Sequence, residues 1–231
     1  MTPAAPQGSP ANAAAMESLY PFLYAGKTDL DAVLAEVRQS TVAKAHEIIE
    51  LRRVVAAQDA TRLRACAGEM ASRFEAGGRL LAFGNGGSAT DAQQLATLFL
   101  DPGGSEPPLP AFGLANDTAV VTALCNDIGV EVVFARQIAA FGGPQDIAVA
   151  LSTSGNSENL LRGLDEATRR GLLTVGIAGY DGGKMSELDG LDYLFVAPSS
   201  SVHRIQEAQT TIYHALWELT VAGIGDGGLA R

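Results

Sequence analysis

The sequence predicts an α/β protein: a doubly wound, parallel, five-stranded sheet flanked by helices, with N-terminal helices ahead of it. Three observations carry this. Short apolar runs recur at 80–83, 111–114, 147–151, 173–177 and 193–196. Each is followed by a polar or Gly-rich turn and then a helical stretch, and a long segment of helical spacing with little Gly or Pro precedes them all. An apolar run without alternation suits a strand buried on both faces, as parallel strands covered by crossover helices are. Repeated strand–turn–helix units then give a doubly wound sheet, whose ligands sit beyond the carboxyl ends of its strands.

The elements follow in order. Residues 1–28 read as a flexible tail, since MTPAAPQGSPANAAA has neither the basic n-region nor the apolar h-region of a signal peptide. Asp29 is placed to cap a helix on which Leu30, Val33, Leu34 and Val37 recur, followed by Ala45, Ile48 and Ile49. A second helix, about 58–76, stops before Gly77-Gly78. This pair, 29–76, has an apolar stripe to bury, on its own domain or against another subunit. After the strands, a last helix at about 203–221 carries Ile205, Ala208, Ile212, Leu216 and Leu219 on its buried face. Residues 29–222 thus read as a single domain, and 223–231 as a flexible C-terminal tail.

Composition narrows the function classes. The 231 residues suffice for one substantial core, and 47% apolar against 18% charged residues marks a globular chain. A formal net charge of −10, with no run of Lys and Arg, argues against a nucleic-acid partner. Cys66 and Cys125 have no CxxC partners, which argues against a disulfide framework or zinc finger. No segment nears the ~20 consecutive apolar residues of a membrane span. The expectation is a soluble, cytoplasmic protein.

Two strand-to-helix turns carry the chemistry. The first, Gly84-Asn85-Gly86-Gly87-Ser88, leads directly from a strand into a helix. Its glycines admit close backbone approach, and the new helix offers unpaired N–H groups to an anion. Its spacing matches neither GxGxxG nor GxxxxGK[ST], so a nucleotide is not indicated. The second, Ser152-Thr153-Ser154-Gly155-Asn156-Ser157, crowds four hydroxyls and an amide at one helix N-terminus. An N-cap needs one such residue, and the surplus suits a phosphate.

These turns, followed by Asp181-Gly182-Gly183-Lys184-Met185 and Arg204-Ile205-Gln206-Glu207, resemble in order and context those of the phosphoheptose isomerases, a branch of the sugar isomerase (SIS) domain family. The likeness covers about residues 30–220. It implies the SIS fold, aldose–ketose isomerisation of a heptose 7-phosphate and sedoheptulose 7-phosphate, and a homotetramer with active sites at subunit contacts. Position by position, it implies that Asn85, Gly86, Gly87 and Ser88 touch the substrate, with Asn126 and Asp127. Ser152, Thr153, Ser154 and Ser157 would form the phosphate cradle. Gln206 and His214 fall on positions used for substrate or zinc binding and for proton transfer. They are separated by about 12 Å of helix axis, so one site can use both only through an irregular turn or a second subunit.

The chain also departs from the family. Where the relatives carry His and Glu, four residues apart and facing one pocket, it has Gln94 and Leu98. The family uses that pair as metal ligand and as ligand or base. Leucine offers no lone pair, and an amide poorly replaces a zinc-binding imidazole, so no metal site and no zinc cofactor are expected here. An Asp of some relatives is His203. His203, Asp101, Asp127 and Glu207 are candidate replacement groups, although His203 can equally cap the last helix and Glu207 form a salt bridge. His46 reads as a surface or interface residue. The expected function is an isomerase-like phosphosugar-binding protein. The alternatives are a non-catalytic phosphosugar-sensing or partner-binding regulator, resembling replication-initiator-binding relatives, and an isomerase of an unusual sugar phosphate.

Overall fold

The computed structural model describes residues 30–103 and 107–225. The expected N-terminal tail, the Asp29 cap and residues 226–231 of the expected C-terminal tail lie outside them. The chain divides into two units, Met1–His46 and Glu47–Arg231. In the first, residues 30–46 are helical and leave Val33, Leu34, Val37 and Val42 exposed.

Two helices were expected over residues 29–76, but among the described residues of that stretch one continuous helix, α1 (Leu30–Glu75), takes their place. The interval between the expected helices contains no Gly or Pro, so nothing interrupts the hydrogen-bond ladder. The helix stops where the Gly77 and Gly78 N–H groups turn back onto the Phe74 and Arg73 carbonyls. Then come β1 (Leu80–Gly84), α2 (Gly87–Leu100), β2 (Ala111–Gly113), α3 (Thr118–Asp127), a 3-10 turn, α4 (Val133–Phe141) and β3 (Ile147–Leu151). The chain continues through α5 (Glu158–Arg169), β4 (Leu173–Gly179), a second 3-10 turn (Gly183–Glu187), β5 (Tyr193–Ala197) and α6 (Val202–Gly225). Residues 223–225, expected in the tail, extend α6 because Ile224 packs against the core.

The five strands are parallel and ordered β2-β1-β3-β4-β5. Their side chains divide the core in two. Leu80, Ala82, Ile147, Val149, Val175 and Phe195 share one cluster with Met70 of α1, Leu95 and Phe99 of α2, and Ile212 and Leu216 of α6. Leu81, Phe83, Ala148, Ala150 and Ala178 point to the other face, among Phe134 and Ile138 of α4 and Leu160 and Leu164 of α5. Burial on both faces explains why the strands read as continuous apolar runs. The packing also puts α2 and α5, the helices that follow the adjacent strands β1 and β3, on opposite faces. Between those strands the order reverses, and a crevice opens beyond their carboxyl ends.

Candidate phosphosugar site

The two motif turns meet at this crevice. Asn85 and Ser88, where β1 passes into α2, and Leu151, Ser152, Thr153, Ser154, Ser157 and Leu160, where β3 passes into α5, enclose a hollow of about 80 Å³. That is far below the roughly 300–1,000 Å³ of a pocket that swallows a whole small ligand. It suits one tetrahedral anionic group, with the rest of the molecule outside.

The hydrogen-bond inventory explains what the hollow can hold. A hydroxyl has one proton to donate and two lone pairs. Ser152 Oγ accepts the Gly155 N–H at 2.9 Å, and Ser154 Oγ accepts the Asn156 N–H at 3.3 Å. Each therefore shapes the turn through a lone pair and keeps its proton available. The hydroxyls of Ser88, Thr153 and Ser157 have no hydrogen-bond partner among the described residues. Ser157 sits in the N-cap position of α5 without making a side-chain cap bond, and the Leu160 and Leu161 N–H groups close on its carbonyl. The Glu158 and Asn159 N–H groups are left open, as the first donors of a helix are. The lining has no Lys or Arg, so an anion here is met by neutral donors and a helix N-terminus.

The other motif segments buttress these turns. Gly155 has φ +68°, and a Cβ there would collide with the Gly182 carbonyl oxygen. The second turn is thus packed onto the Asp181–Lys184 segment, and it is tied there by Met185 N–H to Gly155 O (2.9 Å) and Lys184 N–H to Asn156 Oδ1 (3.0 Å). Gln206 of α6 lies against the first turn: a Cβ at Gly87 would collide with its amide nitrogen. One turn further along α6, Gln209 is fully buried and donates to the Ser152 carbonyl at 2.7 Å and the Ile177 carbonyl at 3.1 Å.

A protein-family model described as SIS domain matches residues 45–179. The chain is 44% identical to the phosphoheptose isomerase of Aquifex aeolicus over 154 residues, 66% of this chain and 80% of that one. The chain belongs to the SIS domain family, in its phosphoheptose isomerase branch. It is 41% identical to the phosphoheptose isomerase of Nitratidesulfovibrio vulgaris over 184 residues, covering 79% and 88% of the two chains. Among solved structures, the phosphoheptose isomerase of Neisseria gonorrhoeae matches at TM-score 0.72 and 32% identity, over 80% of this chain and 99% of that one. That of Francisella tularensis matches at 0.71 and 30%, over 84% and 98%.

Not every expected residue of this SIS domain reaches the hollow. Asn126 and Asp127 are exposed at the end of α3 and bonded to each other at 2.8 Å, and neither lines it. His214 lies in a separate hollow of about 400 Å³ with Arg52, Thr210, Thr211, Ala215 and Glu218. Its Nδ1 is 2.8 Å from the Thr210 carbonyl, and its ring stacks on Tyr213 and meets Trp217 edge-on. α6 is regular through this stretch, and within one chain Gln206 rests on the first turn at Gly87 while His214 lines the separate hollow. Gln94 is exposed, whereas Leu98, expected to face the pocket, is half-buried and packs against the larger core cluster. His203, Asp101 and His46 are exposed, and Glu207 is salt-bridged to Arg204.

Three polar residues escaped the sequence reading. Asp91, on α2, has one carboxylate oxygen enclosed without a partner, and burial pushes its pKa up. Burial also pushes up the pKa of the Tyr213 phenol, with a smaller upward contribution from the Asp91 charge. Gln209 and Asn159 are buried beside the two turns. A hint was present: Asp91 lies at helical spacing from Leu95 and Leu98, a polar residue on an apolar stripe.

Proposed function

We propose that this SIS domain binds a phosphorylated sugar, with the phosphate in the hydroxyl cradle and the sugar extending past Asn85 toward the Gly86-Gly87 turn and Gln206. The observation that carries this reading is the hollow itself. At the reversal of strand order, hydroxyl protons and helix N–H groups without partners converge on a space of anion size. The kinship with phosphoheptose isomerases favours a sugar phosphate over a free anion.

Catalysis of the heptose reaction is a different matter. Isomerisation through an enediol needs a base beside the carbonyl and an acid to return the proton. Gln94 and Leu98 supply neither. The zinc of the family does not fit these residues: Leu98 offers no donor and packs against the core cluster, and His214 lies in another hollow. Among the described residues no cluster of three His, Cys, Asp or Glu could hold a metal ion. The domain therefore binds phosphosugar with little or no turnover of sedoheptulose 7-phosphate. The packing of Leu98 favours a sensing role over an active heptose isomerase.

A screen of C6–C8 sugar phosphates by thermal shift, with product analysis of each hit, tests this. Binding without turnover of sedoheptulose 7-phosphate is expected; failure of every sugar phosphate to bind refutes the reading. The working form is a homotetramer. Leu34, Val37 and Val42 are exposed apolar residues, and α3 buries none of its side chains while Ile128 and Val130 just beyond it are exposed. Light scattering at micromolar concentration should report the tetramer, and a monomer would refute it.

A further inference from the structure

The walls of the crevice belong to two crossovers far apart in sequence, and a reciprocal amide pair joins them. Asn85 Nδ2 donates to Asn159 Oδ1 at 2.9 Å, and Asn159 Nδ2 donates back to Asn85 Oδ1 at 2.9 Å. Asn85 ends the β1 side of the hollow, and Asn159 sits in the first turn of α5 on the β3 side, 7% exposed. Among the described residues this is the one side-chain hydrogen-bonded link between the two turns. The other supports act singly: Gln206 rests on the first turn, while Gln209 and the Asp181–Lys184 segment hold the second.

A side-chain amide has two N–H donors and two acceptor lone pairs. The pair consumes one of each on Asn85 and leaves one of each on the same planar group. Two bonds fix that plane where a single bond would let it turn. Asn85 therefore presents a donor and an acceptor already oriented at the mouth of the anion hollow, where a sugar hydroxyl or phosphate oxygen would lie. The same two bonds set the separation of the turns, so that Ser88 from one side and Ser154 and Ser157 from the other can close on one phosphate. Orientation established before binding spares the cost of ordering these groups during it.

We propose that Asn159 is a positioning residue of the phosphosugar site, acting through Asn85. The inference rests on the phosphosugar reading given above. Asn159→Ala removes both bonds. Asn159→Asp keeps the volume but sets a carboxylate oxygen against Asn85 Oδ1, so it tests the lock should the alanine variant fold poorly.

The experiment is a double-variant cycle on the full chain, titrating sedoheptulose 7-phosphate and inorganic phosphate calorimetrically into wild type, Asn85→Ala, Asn159→Ala and the double variant, with Asn159→Asp alongside. Asn159→Ala alone should weaken sedoheptulose 7-phosphate binding about tenfold, the order expected for lost hydrogen bonds. In the Asn85→Ala background the same change should weaken it less than about twofold, because residues acting through one another are not additive. A merely structural Asn159 would lower the melting temperature and leave affinity unchanged, or multiply its loss with that of Asn85→Ala; either result overturns the proposal. Wild-type protein that binds neither probe nor any sugar phosphate of the C6–C8 screen overturns the site reading and this inference with it. Wild-type binding with additive losses overturns the inference alone.

Discussion

Removal of one hydroxyl, in Ser157→Ala, separates a ligand cradle from an ordinary helix cap. An N-cap serine normally loses about 1 kcal/mol of stability when truncated, because its oxygen holds an N–H of the first turn. Ser157 makes no such bond, and its hydroxyl has no partner among the described residues. The folded chain should therefore lose less than about 0.5 kcal/mol, within the range of a neutral surface change. For a protein of this size that moves the melting temperature by under about 2 °C. A hydrogen bond to a charged group is worth about 1.5–3 kcal/mol, and each 1.4 kcal/mol is about tenfold in affinity. Phosphosugar binding should thus fall at least about tenfold while stability barely moves. Adding Ser154→Ala should weaken binding further at small structural cost, since that oxygen accepts only the 3.3 Å bond from Asn156 N–H. Titration of sedoheptulose 7-phosphate, paired with thermal melts of the same samples, reads both quantities. Unchanged affinity would mean that the hydroxyls only shape the turn. A large fall in melting temperature would mean that Ser157 has a structural partner the geometry does not contain.

Gly155→Ala must adopt φ +68° and displace the Gly182 carbonyl. Backbone strain alone is about 1–2 kcal/mol, so a melting temperature several degrees lower, with phosphosugar binding lost, is expected; an unaltered melt would disprove the packing. Burial raises the Asp91 pKa above its ordinary value of 3.8, so between the two values the native chain holds a proton that the unfolded chain has released. Stability from this group then falls as pH rises through that window and stays lower above it. Asp91→Asn should melt higher than wild type at pH 7, with the gap closing on acidification toward 3.8; a pH-independent gap would contradict this. Elemental analysis should find no stoichiometric zinc in purified protein, and robust, chelator-sensitive heptose isomerisation would reverse the conclusion about Gln94 and Leu98.

The sheet was legible because parallel strands buried on both faces leave a signal that is local and redundant. Val149 and Ala150 face opposite core clusters, so neither could be polar, and the run announces itself. That four hydroxyl residues line one hollow was legible for a related reason: Ser152, Thr153, Ser154 and Ser157 are neighbours in sequence as well as in space. Helix ends were read less well. Continuity of α1 depends on the absence of a breaker between two apolar stripes, and the end of α6 depends on what Ile224 meets in the core.

The amino-acid sequence by itself determined the fold class, the two Gly- and Ser-rich strand-to-helix turns and the kinship with phosphoheptose isomerases, because each is written in residues close along the chain. Tertiary structure alone decided that Asn159 grips Asn85 across 74 positions, that Gln209 holds the Ser152 carbonyl from 57 positions away, that Leu98 packs against the larger core cluster, and that His214 lines a hollow apart from the turn on which Gln206 rests. Those outcomes depend on which crossover lies on which face of the sheet and on how α6 packs against it. Contacts between distant segments of chain have no local period to betray them.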